Sequence, residues 1–281
     1  SYIMDLNVIK QRLNQMQKAS SNQSSGGGKN MFWKPSVGKQ TIRVVPNKYN
    51  KDNPFTEMKF YYGIGNKKVM ASPQNWGEKD PIMEFAKQLR NTNDKDNWRL
   101  AKKLDAKTRI FAPVIVRGEE SEGVKLWQFG KEVYETFLQL ASDDEVGDFT
   151  DIAEGRDIKL VTVGPESTGT PYNRTTLSPS MKTSELSSRD EIEKFLEDQA
   201  DPKKVFKPLP YDEMKQGLQE WLAPEGEEED SISSEPAVAF DSDVKNSNYS
   251  LDTTTTNVKK SKSDQFDDLF NDNKKSDDLP F

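Results

Sequence analysis

Residues 109–130 read RIFAPVIVRGEESEGVKLWQFG. RIFAPVIVRG is the most apolar run of the chain and reads as a buried strand. The acidic turn GEESEG separates it from VKLWQFG, which alternates apolar and polar residues, so the two runs form a β-hairpin. KEVYETFLQLA, beginning at Lys131, follows with helical spacing. Upstream, QTIRVVPN alternates and stops at Pro46, and PFTEMKFYYGIG is aromatic and ends at a glycine-bounded turn. Residues 81–104 turn helical: Ile82, Phe85 and Leu89 make one stripe, Leu100 and Leu104 a second. Downstream, RDIKLVTVGP is another strand, and DEIEKFLEDQ and YDEMKQGLQEWL are short helices within 189–222. Short strands with helical insertions suit a mainly β, α+β fold with a small barrel core better than a parallel α/β sheet.

The arms differ from this core. Leu6, Ile9, Leu13 and Met16 recur at steps of three and four, and SSNQSSGGGKN then reads as a flexible linker. Residues 1–28 are therefore a basic helical arm with a linker, 29–223 the core and 224–281 an acidic, disordered tail. With 281 residues, 33% hydrophobic and 31% charged, the chain is too polar to fold uniformly. It has neither Cys nor His, which removes disulfides, thiolate metal sites and His-based triads. No run reaches the length of a membrane helix. The N-terminus lacks the apolar core of a signal peptide, so a cytoplasm is the expected compartment.

Charge is polarised. Within the net charge of −7, residues 29–112 carry +10 and residues 224–281 carry −9. A basic half joined to an acidic tail fits a polyanion partner with an internal competitor; a solvated charge distribution without a partner fits the charge alone equally well. The basic half also interleaves cations with aromatics. The candidate binding residues are Arg43, Lys59, Tyr62, Lys67, Lys68, Trp76, Trp98, Arg99, Lys103, Lys107, Arg109, Phe111, Arg117, Lys125, Trp127, Phe129, Lys131, Tyr172 and Arg174. Single-stranded nucleic acid calls for this mixture, because cations neutralise phosphates and ring faces stack on splayed bases. Half of these aromatics are expected in the core, with Trp76 and Trp98, in polar surroundings, nearer the surface. The acids DDEVGDFTD at 143–151 offer a magnesium-nuclease alternative.

IRVVPN, NPFTEMKFYYGIG and RIFAPVIVRGEESEGVKLWQFGKEVYETF together resemble the single-stranded DNA-binding protein of T-even-type bacteriophages and their marine-virus relatives. Ala112, Glu122–Gly123–Val124 and Phe129–Gly130–Lys131 hold the places of that family's central hairpin motifs. The resemblance implies an OB-fold core with a small subdomain at about 60–105, a cleft that runs non-specifically along DNA, and no enzymatic activity. It implies cooperative contacts between protomers through the arm, here Lys10, Arg12 and Lys18. It places cleft aromatics at Phe111, Phe129 and Tyr172; Tyr134 also aligns, but its amphipathic helix turns it from DNA. The implied setting is phage replication, recombination and repair in the infected bacterial host. An RNA-binding translational regulator using the same cleft is the alternative.

Classical members carry a zinc ribbon of one His and three Cys. Here Asp80 and Met83 stand at the last pair, Ala71 or Ser72 near the earlier Cys, and Tyr62 near the His. That set implies no zinc cofactor, with Tyr62, Val69, Trp76, Ile82 and Phe85 packing in its place. At the far end, FDDLFND resembles the acidic-apolar ending of the phage family, and the final DDLPF resembles the tip of bacterial single-stranded DNA-binding proteins. Phe266, Leu269, Phe270, Asp277, Asp278, Leu279, Pro280 and Phe281 are the expected partner-binding residues.

Overall fold

In a computed structural model, which describes residues 30–223 and 262–271, the strand at the head of the opening stretch is the hub of the sheet. Strand β5 (Lys107–Val116) pairs antiparallel with three partners. Its first half lies against β3 (Thr56–Ile64), its last residues against β2 (Gly38–Val44), and β6 (Lys125–Phe129) runs along its other side. Core covers both faces of β5, with Ile110, Ala112, Val114 and Val116 on one and Phe111 and Ile115 on the other, so the strand is apolar on both from Ile110 to Val116, whereas a half-exposed strand would alternate. The expected hairpin is present, with Ile110 opposite Phe129 and Val114 opposite Lys125.

The sheet has eight strands among the described residues, with β1 (Phe32–Trp33), β6, β5, β2, β7 (Ile158–Val163) and β8 (Arg174–Pro179) in that order. Strand β3 branches from β5 and carries β4 (Lys67–Ala71) at its far edge. Strand β1 is parallel to β6, with Trp33 beside Trp127; all other pairings are antiparallel. The fold is thus α+β with a mixed sheet. Helix α1 (Pro81–Arg90) and helix α2 (Lys95–Lys103) follow β4, and helix α3 (Lys131–Ser142) joins β6 to β7. The one-turn helix α4 (Pro165–Thr168) lies between β7 and β8. Helix α5 (Arg189–Glu197), the short α6 (Pro202–Val205) and α7 (Tyr211–Leu222) end the first described segment, and α8 (Lys262–Asn271) is the second.

Two large cores divide this framework. Ile42, Val44, Ile110, Ala112, Val114, Trp127, Phe129, Phe137, Phe149, Ile158 and Leu160 pack between the sheet and α3. Tyr61, Ile82, Phe85, Leu89, Leu100, Leu104, Met214, Leu218 and Leu222 form the other, a subdomain core. Its keystone is Asp80, a fully buried carboxylate that caps α1. Asp80 accepts the Tyr61 hydroxyl at 2.7 Å, the Ser72 hydroxyl at 2.5 Å, and the Ile82 and Met83 amides at 2.9 and 3.0 Å. A buried carboxylate is tolerated when its lone pairs are met in this way.

The packing set expected in place of a zinc ribbon is only partly right. Ile82 and Phe85 share the subdomain core, but Tyr62 and Trp76 point to the opposite side of the hairpin and pack with Phe60 and Phe111. Val69 is 43% exposed. The reading of 224–281 as disordered also fails for residues 262–271, which form α8 and place Phe266 and Phe270 in the subdomain core. Strand β8 carries a single strongly apolar residue, Leu177, so its sequence gives no strand signal; six paired residues of β7 supply the order.

Candidate nucleic-acid interface

The sequence places Arg109 near the start of β5, Trp127 and Phe129 on β6, and Tyr172 and Arg174 at the entry to β8. The fold brings all five to one cavity of about 240 Å³, with Lys34, Pro35, Gly130, Glu132 and Pro165 on its walls. Trp127 and Phe129 are buried and form a floor, their ring centroids 4.8 Å apart. Trp33 braces Trp127 edge-on at 5.6 Å. Tyr172 stands half-buried at the rim. The loop bearing it is tied locally: the Thr168 hydroxyl donates to the Tyr172 carbonyl at 2.9 Å, and Gly169 turns the chain at φ +66°.

Cations flank these rings. Lys34 is exposed, and Arg174 is exposed with its guanidinium donating to Glu132 at 3.0 Å. An exposed pair of this kind contributes about 0–1 kcal/mol, so a phosphate can replace Glu132 at little cost. Gly130 caps α3 without a side-chain hydrogen bond, which sets the positive end of that helix at the cavity wall beside Lys131.

Arg109 links the cavity to a second aromatic patch. Lys107, Arg109 and Phe111 share one face of β5 and lie opposite Phe60, Met58 and Thr56 of β3. The Tyr62 phenol is pushed up to about 12 by burial, with the positive charge of Arg109 pulling the other way. Lys107 Nζ stands 5.9 Å from the Tyr62 ring centre.

Several predicted residues do other work. Arg43 is 0% exposed and is a structural cation, contrary to its expected role at a phosphate. It donates to Asp157 at 3.2 Å, to the Ser184 hydroxyl at 2.9 Å, and to the carbonyls of Ser184 and Asp151 at 2.7 and 2.9 Å. Burial lowers its pKa, against the pull of Asp157. Gly155 lies so close that an added Cβ would fall 2.4 Å from the guanidinium. Arg117 is likewise structural, gripping the same Asp157 at 2.9 Å and the Leu186 carbonyl at 2.8 Å. Phe111 is core: Phe206 covers it at 5.5 Å and Phe60 lies at 6.1 Å. Tyr134 packs on Phe55 at 5.3 Å, as its helix spacing implies.

The remaining residues are dispersed. Trp76 is half-buried and donates its indole N–H to the Lys203 carbonyl at 2.9 Å. Trp98 is 51% exposed, with Lys102 Nζ 5.9 Å from its ring and Arg99 3.9 Å from Asp96. Lys59 and Lys68 are exposed on β3 and β4, Lys67 pairs with Glu213 of α7, and Lys103 is exposed on α2. Lys125 reaches Glu122 at 4.0 Å. Lys10, Arg12, Lys18, Asp277, Asp278, Leu279, Pro280 and Phe281 lie outside the described residues.

Sequence reasoning missed Lys34. Its signal was present in Phe32–Trp33–Lys34–Pro35, where a cation follows two rings, but only the β1–β6 pairing carries it to the cavity.

The acids at 143–151 are turn-formers. Asp143, Asp148 and Asp151 accept backbone amides two or three residues ahead, and those bonds hold the Asp151 carboxyl below its usual range. Among the described residues no three Asp, Glu, His or Cys side chains converge. Likewise, no helix there is long and apolar enough to cross a membrane.

The cavity thus joins exposed cations, a half-buried rim tyrosine and a floor of buried rings. The model of the family described as gp32 DNA binding protein like matches residues 36–220, and the chain belongs to that family of DNA-binding proteins. No curated protein matches the chain.

Proposed function

We propose that the chain is a sequence-non-specific, non-enzymatic single-stranded DNA-binding protein that holds its ligand in the cavity between β5, β6 and the loop before β8. The observation that carries this reading is the meeting of Arg109, Trp127, Phe129, Tyr172, Arg174 and Lys34 at one site. The order β6-β5-β2-β7-β8, with α3 between β6 and β7, supports an OB-type barrel within the larger sheet. In such barrels, oligonucleotides lie on the face of the second and third strands and against the loop joining the fourth and fifth. Those positions here are β5, β6 and residues 164–173, which border the cavity.

Duplex DNA keeps its bases stacked, so this surface favours single strands. Preferential binding then shifts melting by mass action. Cooperative protomer contacts through Lys10, Arg12 and Lys18, and partner recruitment by the acidic tail in phage replication, recombination and repair, complete the proposal. The subdomain fits a zinc-less variant: both Asp80 oxygens already accept donors from Tyr61, Ser72 and the α1 amides, and neighbouring Met83, Ala71 and Ser72 are not ordinary zinc ligands. One tightly bound zinc per chain on metal analysis of the pure protein would contradict that part.

The deciding experiment is a set of salt titrations with poly-dT, poly-U and a duplex of equal length. Affinity for poly-dT should fall steeply from about 10 to 200 mM salt and exceed duplex affinity throughout. Flat salt dependence, or preference for duplex, would overturn the proposal. Preference for poly-U would transfer the same cavity to RNA.

A further inference from the structure

Phe266 and Phe270 lie one helical turn apart on α8 and are 2% and 7% exposed. Their rings meet at 4.5 Å, and Phe266 stands 6.0 Å from Phe85 of α1. Met214, Leu218 and Leu222 of α7 complete the groove that receives them. Lys215 holds Nζ 4.6 Å from the centre of the Phe270 ring, a cation–π contact at the groove edge. Asp264, Asp267 and Asp268 are exposed. The arrangement is that of an amphipathic helix laid in an apolar groove and anchored by an i, i+4 pair.

Two features mark this as a reversible seat. First, α7 has moorings independent of α8. Tyr211 donates its hydroxyl to Glu84 of α1 at 2.6 Å, and Lys67 of β4 pairs with Glu213. Gly65 sits so close to α7 that an added Cβ would lie 2.8 Å from the Gly217 carbonyl oxygen. The groove therefore persists when α8 leaves. Second, α8 is not enclosed at its start: a cavity of about 600 Å³ lies beside Lys262, lined by Leu100 and Lys103 of α2 and by Trp221 and Leu222 at the end of α7. A helix this short is also marginal alone in water, so its order depends on the groove.

We propose that the groove between α1 and α7 is a recognition site for acidic helices carrying two aromatic residues four positions apart, occupied in the resting chain by its own residues 262–271. The same two rings are among the tail residues proposed to recruit partners, and they are withheld while the helix is seated. A partner protein that takes Phe266 and Phe270 must compete with the groove, and a partner that carries such a helix can displace α8. The groove borders none of the residues of the DNA cavity, so this inference stands or falls separately from DNA binding.

The test uses the full chain and a fluorescein-labelled peptide of residues 260–272, read by anisotropy. The Phe266→Ala/Phe270→Ala chain, whose groove is empty, should bind the peptide at least about fivefold more tightly than the wild type, where the tethered helix competes at high local concentration. Adding Lys215→Glu to that chain should weaken binding. Absent binding, or equal binding by both chains, would overturn the proposal. A second measurement needs no variant: hydrogen exchange at residues 262–271 of the wild type should accelerate under excess unlabelled peptide, and unchanged protection at saturation contradicts a reversible seat. A wild-type dimer that the double substitution abolishes, seen by sedimentation, would replace the chain's own helix with a neighbour's and refute the resting state proposed.

Discussion

Arg43 and Arg109 stand on adjacent strands and both are buried, yet they belong to different parts of the protein's chemistry. Arg43 is met by a carboxylate, a hydroxyl and two carbonyls, contributed by residues more than a hundred positions away. Arg109 lies at a cavity floor among Trp127, Phe129 and Tyr172, and its charge reaches the Tyr62 phenol. The first cation is consumed by the fold; the second is set where a ligand's charge can approach. Burial alone therefore does not separate structure from function; position does, since Arg109 lines a cavity.

That contrast breaks most readily at Arg43. Arg43→Met should cost about 3–5 kcal/mol in urea unfolding, because the Ser184 hydroxyl and the Ser184 and Asp151 carbonyls lose their buried donor, while Asp157 keeps Arg117. Full stability with selectively reduced DNA affinity would move Arg43 into the binding surface. Asp80→Ala should cost about 2–3 kcal/mol, through the lost α1 cap and the stranded Tyr61 and Ser72 hydroxyls, and thermal melting would register it. Retained stability would remove Asp80 from its place as keystone. Tyr172→Ala sharpens the other side: a loss of about 1–3 kcal/mol in oligo-dT affinity with unchanged melting, since a rim ring stacks on bases without supporting the core. An unaltered affinity would take Tyr172 out of the contact.

Tyr62 offers a smaller effect tied to pH. Its folded pKa of about 12 lies above the ordinary value of 10.0, so the folded state retains a proton that the unfolded state gives up. This contribution to stability is intact below about pH 10 and is lost as pH rises toward 12. Tyr61, Tyr134 and Tyr211 are also raised by burial, so alkaline difference spectroscopy should show several late-ionising tyrosines, of which Tyr62→Phe removes the one near pH 12. Ionisation of Tyr62 at the ordinary value would deny its burial beside Arg109.

Much of the fold was legible in the chain because strands β2, β3, β6 and β7 and helices α1, α3 and α7 each carry a local pattern, and β5 is a continuous apolar run. What escaped depends on partners distant in sequence. Strand β8, nearly devoid of apolar residues, is defined by β7, and β1 is a two-residue strand set by β6. Helix α8 reads as a polar tail until the α1–α7 groove supplies a surface for Phe266 and Phe270. Within the site, residue type singled out Arg109, Trp127, Phe129, Tyr172 and Arg174, which line one cavity. It misplaced Arg43, Arg117 and Phe111, because Asp157, Ser184 and Phe206 answer them only after folding.

The most direct test of the cavity as a phosphate-and-base site is the salt dependence of oligo-dT binding for the wild type and for Lys34→Ala/Arg174→Ala. Both side chains are exposed at the cavity wall. If each meets one phosphate, the slope of log K against log salt should become shallower by about 1.4 in the variant, with weaker affinity and unchanged melting temperature. Identical slopes and affinities for the two proteins would place the DNA elsewhere on the molecule.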